Sequence, residues 1–185
     1  MLESELLGHL DAPLASRGAT LHDGQAYDEP PLVVLRFASR PTRVSRLPLL
    51  GRALGVVVVA REPVDLGFDA AGLKALLVRL GRAASYRFPN RLGPQGGLAI
   101  GLTAVVLTPR PIDPDDDARL DAALSAAPAG RSLPVGLFRV NLARECVAMA
   151  WRSGPRDGFP EPLAVAETLG TVLARHLDRI PTETA

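Results

Sequence analysis

The sequence feature that most constrains the fold is a run of four consecutive valines, Val56 to Val59, inside the apolar segment from Leu54 to Ala60. Valine favours extended strands because its branched side chain fits a pleated surface. A strand that is apolar at successive positions, rather than at alternating ones, has to be covered on both faces. The sequence therefore predicts a sheet whose middle is packed between two layers.

An alternating order of strands and helices begins at this segment. The segments are the strand Leu54–Ala60, a helix capped by Asp69 and ending before Tyr86, the strand Leu98–Thr108, a helix from Asp113 to about Ala127 and the strand Leu133–Leu142. The helices are indicated by capping aspartates and by leucines at helical spacing. Because such crossovers are nearly always right-handed, the three strands should lie parallel.

Further elements flank this central unit. They are a helix from Leu2 to Leu10 stopped by Pro13, a polar stretch rich in turn formers through Glu29, a strand Leu32–Ser39, a strand Cys146–Arg152 in a hairpin with Leu133–Leu142, and a last helix opened by Pro162. We therefore predict an α/β or α+β domain with a mixed sheet of about five strands, flanked by helices. Residues 1–185 should form one domain, with residues 1–30 as an appended helix and loop. The competing architecture is an α+β sandwich with helices on one face.

The bulk composition indicates a globular protein of the cytoplasm. Apolar residues make up 47% of the chain and charged residues 22%, a balance too apolar for a disordered chain. The segment Met1–Glu5 is acidic where a secretory signal would be basic, and the longest weakly polar run, Gly97–Pro109, is too short to span a membrane. The single cysteine, Cys146, excludes an internal disulfide and fits a reducing compartment.

Residues that resemble catalytic or metal-binding groups each have a simpler structural interpretation. The glycine-rich stretch Gly93–Gly101 precedes a strand, whereas a phosphate-binding loop follows one. The aspartates from Asp113 to Asp117 suit a helix start better than a metal site. Cys146 lies beside a carboxylate, which does not activate a thiol. The histidines His9, His22 and His176 have no paired spacing. We therefore predict no catalytic residue, no metal site and no cofactor.

The distribution of charge along the chain is uneven. Between Pro30 and Pro111 there are twelve basic residues and three acids, whereas the rest of the chain has nine basic residues and seventeen acids. Only Lys74 is a lysine, so the arginines partly reflect a GC-rich bacterial coding sequence. The two kinds of segment can pair within the fold, pair between subunits, or leave arginines free for an external anion.

Two regions of the sequence favour an anion-binding site. Tyr86 and Phe88 lie among arginines, a composition that holds phosphates and stacks bases. If the strands are parallel, their carboxyl ends also bring together Arg61 with Glu62, Thr108 with Arg110, and Asn141 with Arg144, where open sheets place ligands. The candidate anion-binding residues are Arg61, Arg82, Arg87, Arg91, Arg110 and Arg144.

The sequence supports two functional hypotheses. The first is a non-catalytic binding or adaptor domain that acts through a protein partner or by self-association. The alternative is an enzyme or binding protein for an anionic ligand, such as a nucleotide, phosphate or nucleic acid. A steep loss of affinity with added salt would mark the nucleic-acid form of the alternative.

Overall fold

The computed structural model describes residues 1–27, 31–42, 53–89, 100–127, 132–152 and 159–177. The strands within them are β1 (Thr20–Asp23), β2 (Ala26–Tyr27), β3 (Leu32–Thr42), β4 (Ala53–Arg61), β5 (Ile100–Leu107), β6 (Ser132–Asn141) and β7 (Cys146–Trp151). The helices are α1 (Glu3–Ser16), α2 (Ala70–Arg87), α3 (Asp116–Ala126) and α4 (Glu161–Leu177). They form an α/β fold with a mixed sheet of seven strands.

The sheet confirms the predicted central unit. Its order is β1-β3-β4-β5-β6-β7, with β2 pairing to β3 next to β1. Strands β4, β5 and β6 are parallel, β6 and β7 form an antiparallel hairpin, and β3 is antiparallel to β4. The sheet has seven strands rather than about five because the turn-rich stretch after α1 forms the short strands β1 and β2.

Helices cover both faces of the sheet, which excludes the one-faced sandwich. Helices α2 and α3 pack on one face with Val56 and Val58, whereas α1 and α4 pack on the other with Val57 and Val59. Every residue of β5 is buried. The run of valines is thus a central strand covered on both sides, as the sequence predicted.

The amino-terminal helix continues past its predicted end. Pro13 lies inside α1, which ends at Ser16. A proline removes one helical hydrogen bond, but the additional turn places Leu14 in the core, where it is 4% exposed. Leu6 and Leu10 are buried on the same side, in the core cluster shared with α4.

A bulge in β3 changes which residues face α1. The register shifts between Val34 and Arg36, so Val34 and Phe37 face the same core although they are three residues apart. Arg36 then pairs with Asp11 of α1, at 3.2 Å between Nη2 and Oδ2. Burial raises the pKa of the Asp11 carboxyl, and the charge of Arg36 opposes this rise. A strict alternating pattern would not have placed this ion pair.

Three glycines let the entry to α4 approach the sheet closely. Gly55 of β4 and Gly101 of β5 are register partners, and Gly136 of β6 pairs with Thr103, two residues further along β5. All three lie on the face covered by α4. A Cβ atom on Gly55 would collide with the Glu161 carboxyl group, and one on Gly101 with the Phe159 ring. The third glycine faces Pro162, whose Cβ would lie 3.0 Å from an added Cβ. We refer to these positions as the glycine row.

Candidate functional site

The carboxyl ends of the parallel strands are joined by a buried ionic cluster. Arg139 of β6 is 3% exposed, and its Nη1 donates to Asp116 Oδ2 at 2.7 Å. Its Nη2 donates to Thr108 Oγ1 at 3.2 Å and lies 3.7 Å from Glu62 Oε1. The Thr108 hydroxyl in turn donates to Glu62. The guanidinium carbon also lies 3.7 Å from the centroid of the Phe68 ring, an arrangement that permits a cation–π interaction.

This cluster fills the position where the sequence predicted a ligand crevice. The space beside Arg139 and Phe68 amounts to about 10 Å³, which accommodates at most one water molecule. Both crossovers lie on the same face of the sheet, since α2 and α3 share one core. The chain therefore does not reverse direction between these strands, and reversal is what opens a crevice in doubly wound folds.

The predicted anion-binding residues at this end of the sheet have partners of their own or lie outside the cluster. Arg61 makes a bidentate pair with Glu3 at 2.9 and 2.7 Å, which raises the pKa of its guanidinium. Arg110 donates to the Leu66 carbonyl oxygen at 3.1 Å. Arg144 is exposed on the β6–β7 turn, where its backbone N–H donates to the Asn141 side chain.

The aspartates from Asp113 to Asp117 lie at the start of α3, with two of them in its first turn as predicted, but their side chains do not act as simple caps. The helix begins at Asp116, and its N-cap residue, Asp115, makes no side-chain capping hydrogen bond. Asp116 is fully buried and also pairs with Arg119 at 2.9 Å, while Asp117 accepts a hydrogen bond from the backbone N–H of Met149 on the edge strand. These two carboxylates thus hold α3 to the sheet, a tertiary role that the local sequence does not reveal.

Several basic residues between Pro30 and Pro111 form ion pairs with acids of the same chain. The pairs include Arg36 with Asp11 and Asp23, Arg40 with Glu161, Arg61 with Glu3, and Arg79 with Asp65. All of these acids except Asp65 come from the acidic parts of the sequence. At these pairs, the basic and acidic parts of the sequence meet inside one folded chain.

A wide groove runs along the second half of α2. It has a volume of about 980 Å³ and lies between α2, the end of α3 and the start of β6. Its lining residues are Gln25, Leu77, Val78, Gly81, Arg82, Ser85, Tyr86, Arg87, Pro89, Ala127, Ser132 and Pro134. Gly81 makes this close arrangement possible, because a Cβ there would collide with the Ser132 hydroxyl. We refer to this site as the α2 groove.

The α2 groove contains two of the predicted anion-binding residues. Arg82 and Arg87 are both exposed, and neither forms an ion pair with any residue that the structure describes. Burial raises the pKa of the Tyr27 phenol, and the charge of Arg87 opposes part of this rise. The third arginine of this segment, Arg91, lies outside the described residues.

The two aromatic residues of this segment have different environments. Phe88 is 8% exposed and packs against His22 and Phe37, whereas Tyr86 is 73% exposed. Only Tyr86 therefore has a ring surface accessible to a ligand. It makes an edge-to-face contact with Tyr27, with 6.0 Å between the ring centroids.

A second buried carboxyl group lies at the opposite end of the parallel strands. Glu161 is 4% exposed at the start of α4, and its Oε1 accepts from Arg40 Nε at 3.1 Å. Burial raises the pKa of this carboxyl, although Arg40 and the nearby Thr42 hydroxyl favour its charged form. Its Oε2 has no hydrogen-bond partner of ordinary geometry. The glycine row is what admits this side chain to the sheet surface.

Other reactive side chains do not assemble into a site within the described part of the chain. No cluster of three or more histidine, cysteine, aspartate or glutamate side chains suited to a metal ion occurs there. Cys146 is partly buried, and His22 contacts Ser39 at 3.1 Å beneath Phe88. The side chain of His176 and most of the Gly93–Gly101 stretch lie outside the described residues. No helix within the described ranges is long and apolar enough to cross a bilayer.

Comparison with protein-family models, with curated proteins and with solved structures found no significant match to this chain. Sequence reasoning missed Arg139, although one signal was visible. A charged residue in the otherwise apolar run Gly136–Val140 of a buried strand requires an internal partner.

Proposed function

We propose that this protein is a non-catalytic binding domain whose ligand carries an anionic group and occupies the α2 groove. The observation that carries this proposal is the contrast between Arg82 and Arg87 and the other arginines of the same segment. Arg36, Arg40 and Arg61 neutralise acids of their own chain. Arg82 and Arg87 line a groove and make no ion pair with a described residue.

The chemistry of the lining supports an anionic ligand with an apolar part. Arginine donates planar, paired hydrogen bonds that match carboxylate and phosphate oxygens. The hydroxyl groups of Ser85 and Ser132 and the amide of Gln25 add neutral donors, while Leu77 and Val78 supply an apolar wall. A few polar groups set in an apolar cleft of several hundred Å³ are typical of small-molecule sites.

Binding rather than catalysis is supported by the environment of the groove. Its described lining contains no histidine, cysteine, aspartate or glutamate that would act as a general base or nucleophile. The hydroxyl and guanidinium groups that are present bind and orient charge. We place this activity in the reducing cytoplasm, where the lone Cys146 stays a thiol.

Self-association is less well supported than ligand binding. The hypothesis depended on acidic and basic segments meeting between subunits, but these segments meet within one chain through Glu3, Asp11 and Glu161. Size-exclusion chromatography with light scattering, at low and at high salt, tests the point. An oligomer that dissociates at high salt would favour self-association over the α2 groove.

Isothermal titration calorimetry with inorganic pyrophosphate and with citrate tests the proposal. The test variant is the double substitution Arg82→Ala/Arg87→Ala. The control is Lys74→Ala/Arg144→Ala, which removes the same charge from two exposed residues outside the groove. Arg144 lies beyond the far end of β6, about 30 Å along the strand from Ser132.

We expect at least one probe to bind and the test variant to bind it at least about 10-fold more weakly, because hydrogen bonds to charged groups contribute about 1.5–3 kcal/mol each. The control should bind within about 2-fold of the wild-type protein. Equal weakening in both variants would show that net charge alone attracts the probe. That result, or no binding of either probe at millimolar concentration, would refute the proposal.

A further inference from the structure

The exposed ring of Tyr86 is held in place by a chain of aromatic contacts that reaches into the core. Tyr86 contacts Tyr27 edge to face, and Tyr27 contacts Phe37 in the same way, with 6.0 Å between each pair of ring centroids. Phe37 is fully buried between the sheet and α2 and makes a third such contact with Phe88. The ring of Tyr86 thus contacts this aromatic chain on one edge while it stays 73% exposed.

An exposed aromatic ring fixed in this way is a preformed stacking surface. A planar ligand stacks on an ordered tyrosine ring with little loss of side-chain entropy. Tyr86 lines the same groove as Arg82 and Arg87. Arg82 is one helical turn before it on α2, and residues four apart lie on the same face of a helix.

The combination of one stacking ring and two arginines narrows the ligand class. A simple inorganic anion would use the arginines but not the ring, and an apolar ligand would use the ring but not the arginines. A nucleotide has both a planar base and a phosphate, and nucleic-acid grooves join aromatic platforms to basic side chains for this reason. The neutral donors of Gln25 and Ser85 suit the polar edge of a base.

We propose that the α2 groove binds a nucleotide, with the base stacked on Tyr86 and the phosphate held by Arg82 and Arg87. This inference rests on the proposed anion-binding function and adds the base to it. The nucleotide can be free or part of a single strand, since both present the same base and phosphate. The two sources differ in how many phosphates they bring to the surface.

The test compares adenosine monophosphate with ribose 5-phosphate, which has the same sugar phosphate without a base. Titration calorimetry is run on the wild-type protein and on the variants Tyr86→Ala and Tyr86→Phe. Because the Tyr86 side chain is largely exposed, both variants should fold, and the fluorescence of Trp151 during thermal unfolding checks this. The variant Arg82→Ala/Arg87→Ala is titrated in parallel.

We expect adenosine monophosphate to bind about 5-fold or more tightly than ribose 5-phosphate, as base stacking on an aromatic ring predicts. Tyr86→Ala should abolish this advantage without changing the affinity for ribose 5-phosphate, and Tyr86→Phe should retain it. The double arginine variant should weaken the binding of both compounds. This pattern would separate stacking on the ring from attraction to the charge.

The nucleotide inference and the proposed function fail in different ways. Equal affinity for the two compounds, or an unchanged advantage in Tyr86→Ala, would refute the nucleotide inference. If pyrophosphate or citrate still bound through the arginines, the proposed function would stand. No binding of any of these anions would refute both.

A salt series with an eight-residue oligoadenylate distinguishes the two sources of the nucleotide. Each phosphate contacted on a single strand adds about −0.7 to the slope of log affinity against log salt. A slope of about −2 or steeper, with affinity above that for adenosine monophosphate, would support a single strand as the source. A slope equal to that of the mononucleotide would support a free nucleotide.

Discussion

Replacing Arg139 by methionine should destabilise the fold strongly, because this arginine is the centre of the buried ionic cluster. Methionine keeps an unbranched chain in contact with the Phe68 ring but removes the charge. Asp116 then retains Arg119 at 2.9 Å, and Glu62 retains Arg110 at 4.0 Å. Removing one partner of a buried ion pair costs about 3–5 kcal/mol.

Since each carboxylate keeps a weaker partner, we expect a loss of about 3 kcal/mol from the free energy of unfolding. That is a large part of the 5–15 kcal/mol typical of a domain. Urea denaturation followed by the fluorescence of Trp151 measures it well, because this single tryptophan stacks on the buried Phe138 ring. A midpoint shift without a change in slope would mark a pure change in stability.

The double variant Arg139→Met/Asp116→Asn provides the decisive control. Asparagine keeps the shape of Asp116 and can still accept from the Asp113 backbone N–H, but it leaves one less buried charge unpaired. We expect it to recover about 1–2 kcal/mol of the loss, as coupled neighbours do. Purely additive losses, or a loss below about 1 kcal/mol in Arg139→Met alone, would refute the view that these charges stabilise one another.

Four further substitutions test other parts of the structure by the same urea assay. Gly101→Ala should cost about 1–3 kcal/mol, because its Cβ would collide with an aromatic ring. In Gly8→Ala, where the added Cβ meets no atom within 4 Å, stability should rise by up to about 1 kcal/mol. Because burial raises the pKa of Glu161, the folded state binds a proton more readily than the unfolded state, and stability should fall as the pH rises above the ordinary glutamate pKa. The substitution Glu161→Gln should remove that part of the pH dependence. Arg61→Ala breaks an exposed pair with Glu3 and should cost about 1 kcal/mol or less.

Specific results would contradict each of these expectations. Equal effects of alanine at Gly101 and at Gly8 on the free energy of unfolding would mean that a Cβ atom at Gly101 does not disturb the packing against Phe159. A difference between the wild-type protein and Glu161→Gln that stayed constant between about pH 4.5 and pH 8 would show that this carboxyl has an ordinary pKa in the fold. If Arg61→Ala lowered the free energy of unfolding by more than about 2 kcal/mol, the pair with Glu3 would stabilise the fold more than exposed ion pairs do.

The central sheet was predictable because its signals are local. The valine run of β4 and the Asp69 cap of α2 each determine their own element, and Asp69 Oδ1 does accept from the Gly72 N–H at 2.8 Å. The direction of the crossovers then follows from chain handedness. The short strands β1 and β2 were not predictable, because segments of four and two residues with polar residues such as His22 and Asp23 carry little strand signal. They are ordered by pairing with β3.

The candidate site was predictable only in part, because the sequence shows which charges exist but not which of them are paired. Arg61 and Arg82 are the same residue type, and the sequence does not distinguish them. In the structure, Arg61 binds Glu3, 58 residues away, whereas Arg82 lines a groove. Tyr86 and Phe88 are two residues apart on the chain, yet Tyr86 is 73% exposed and Phe88 is 8% exposed. Pairing and exposure depend on tertiary contacts between distant segments.

The glycine row also restricts which substitutions this sequence can accept. A side chain at Gly55 or Gly101 is tolerated only if the facing residue of the segment Phe159–Pro162 becomes smaller at the same time. Substitutions on three separate strands are therefore linked to one short segment more than twenty residues further along the chain. A search for relatives can use this as a spaced pattern: three glycines on successive parallel strands, followed by an aromatic-proline-acid-proline entry to the last helix.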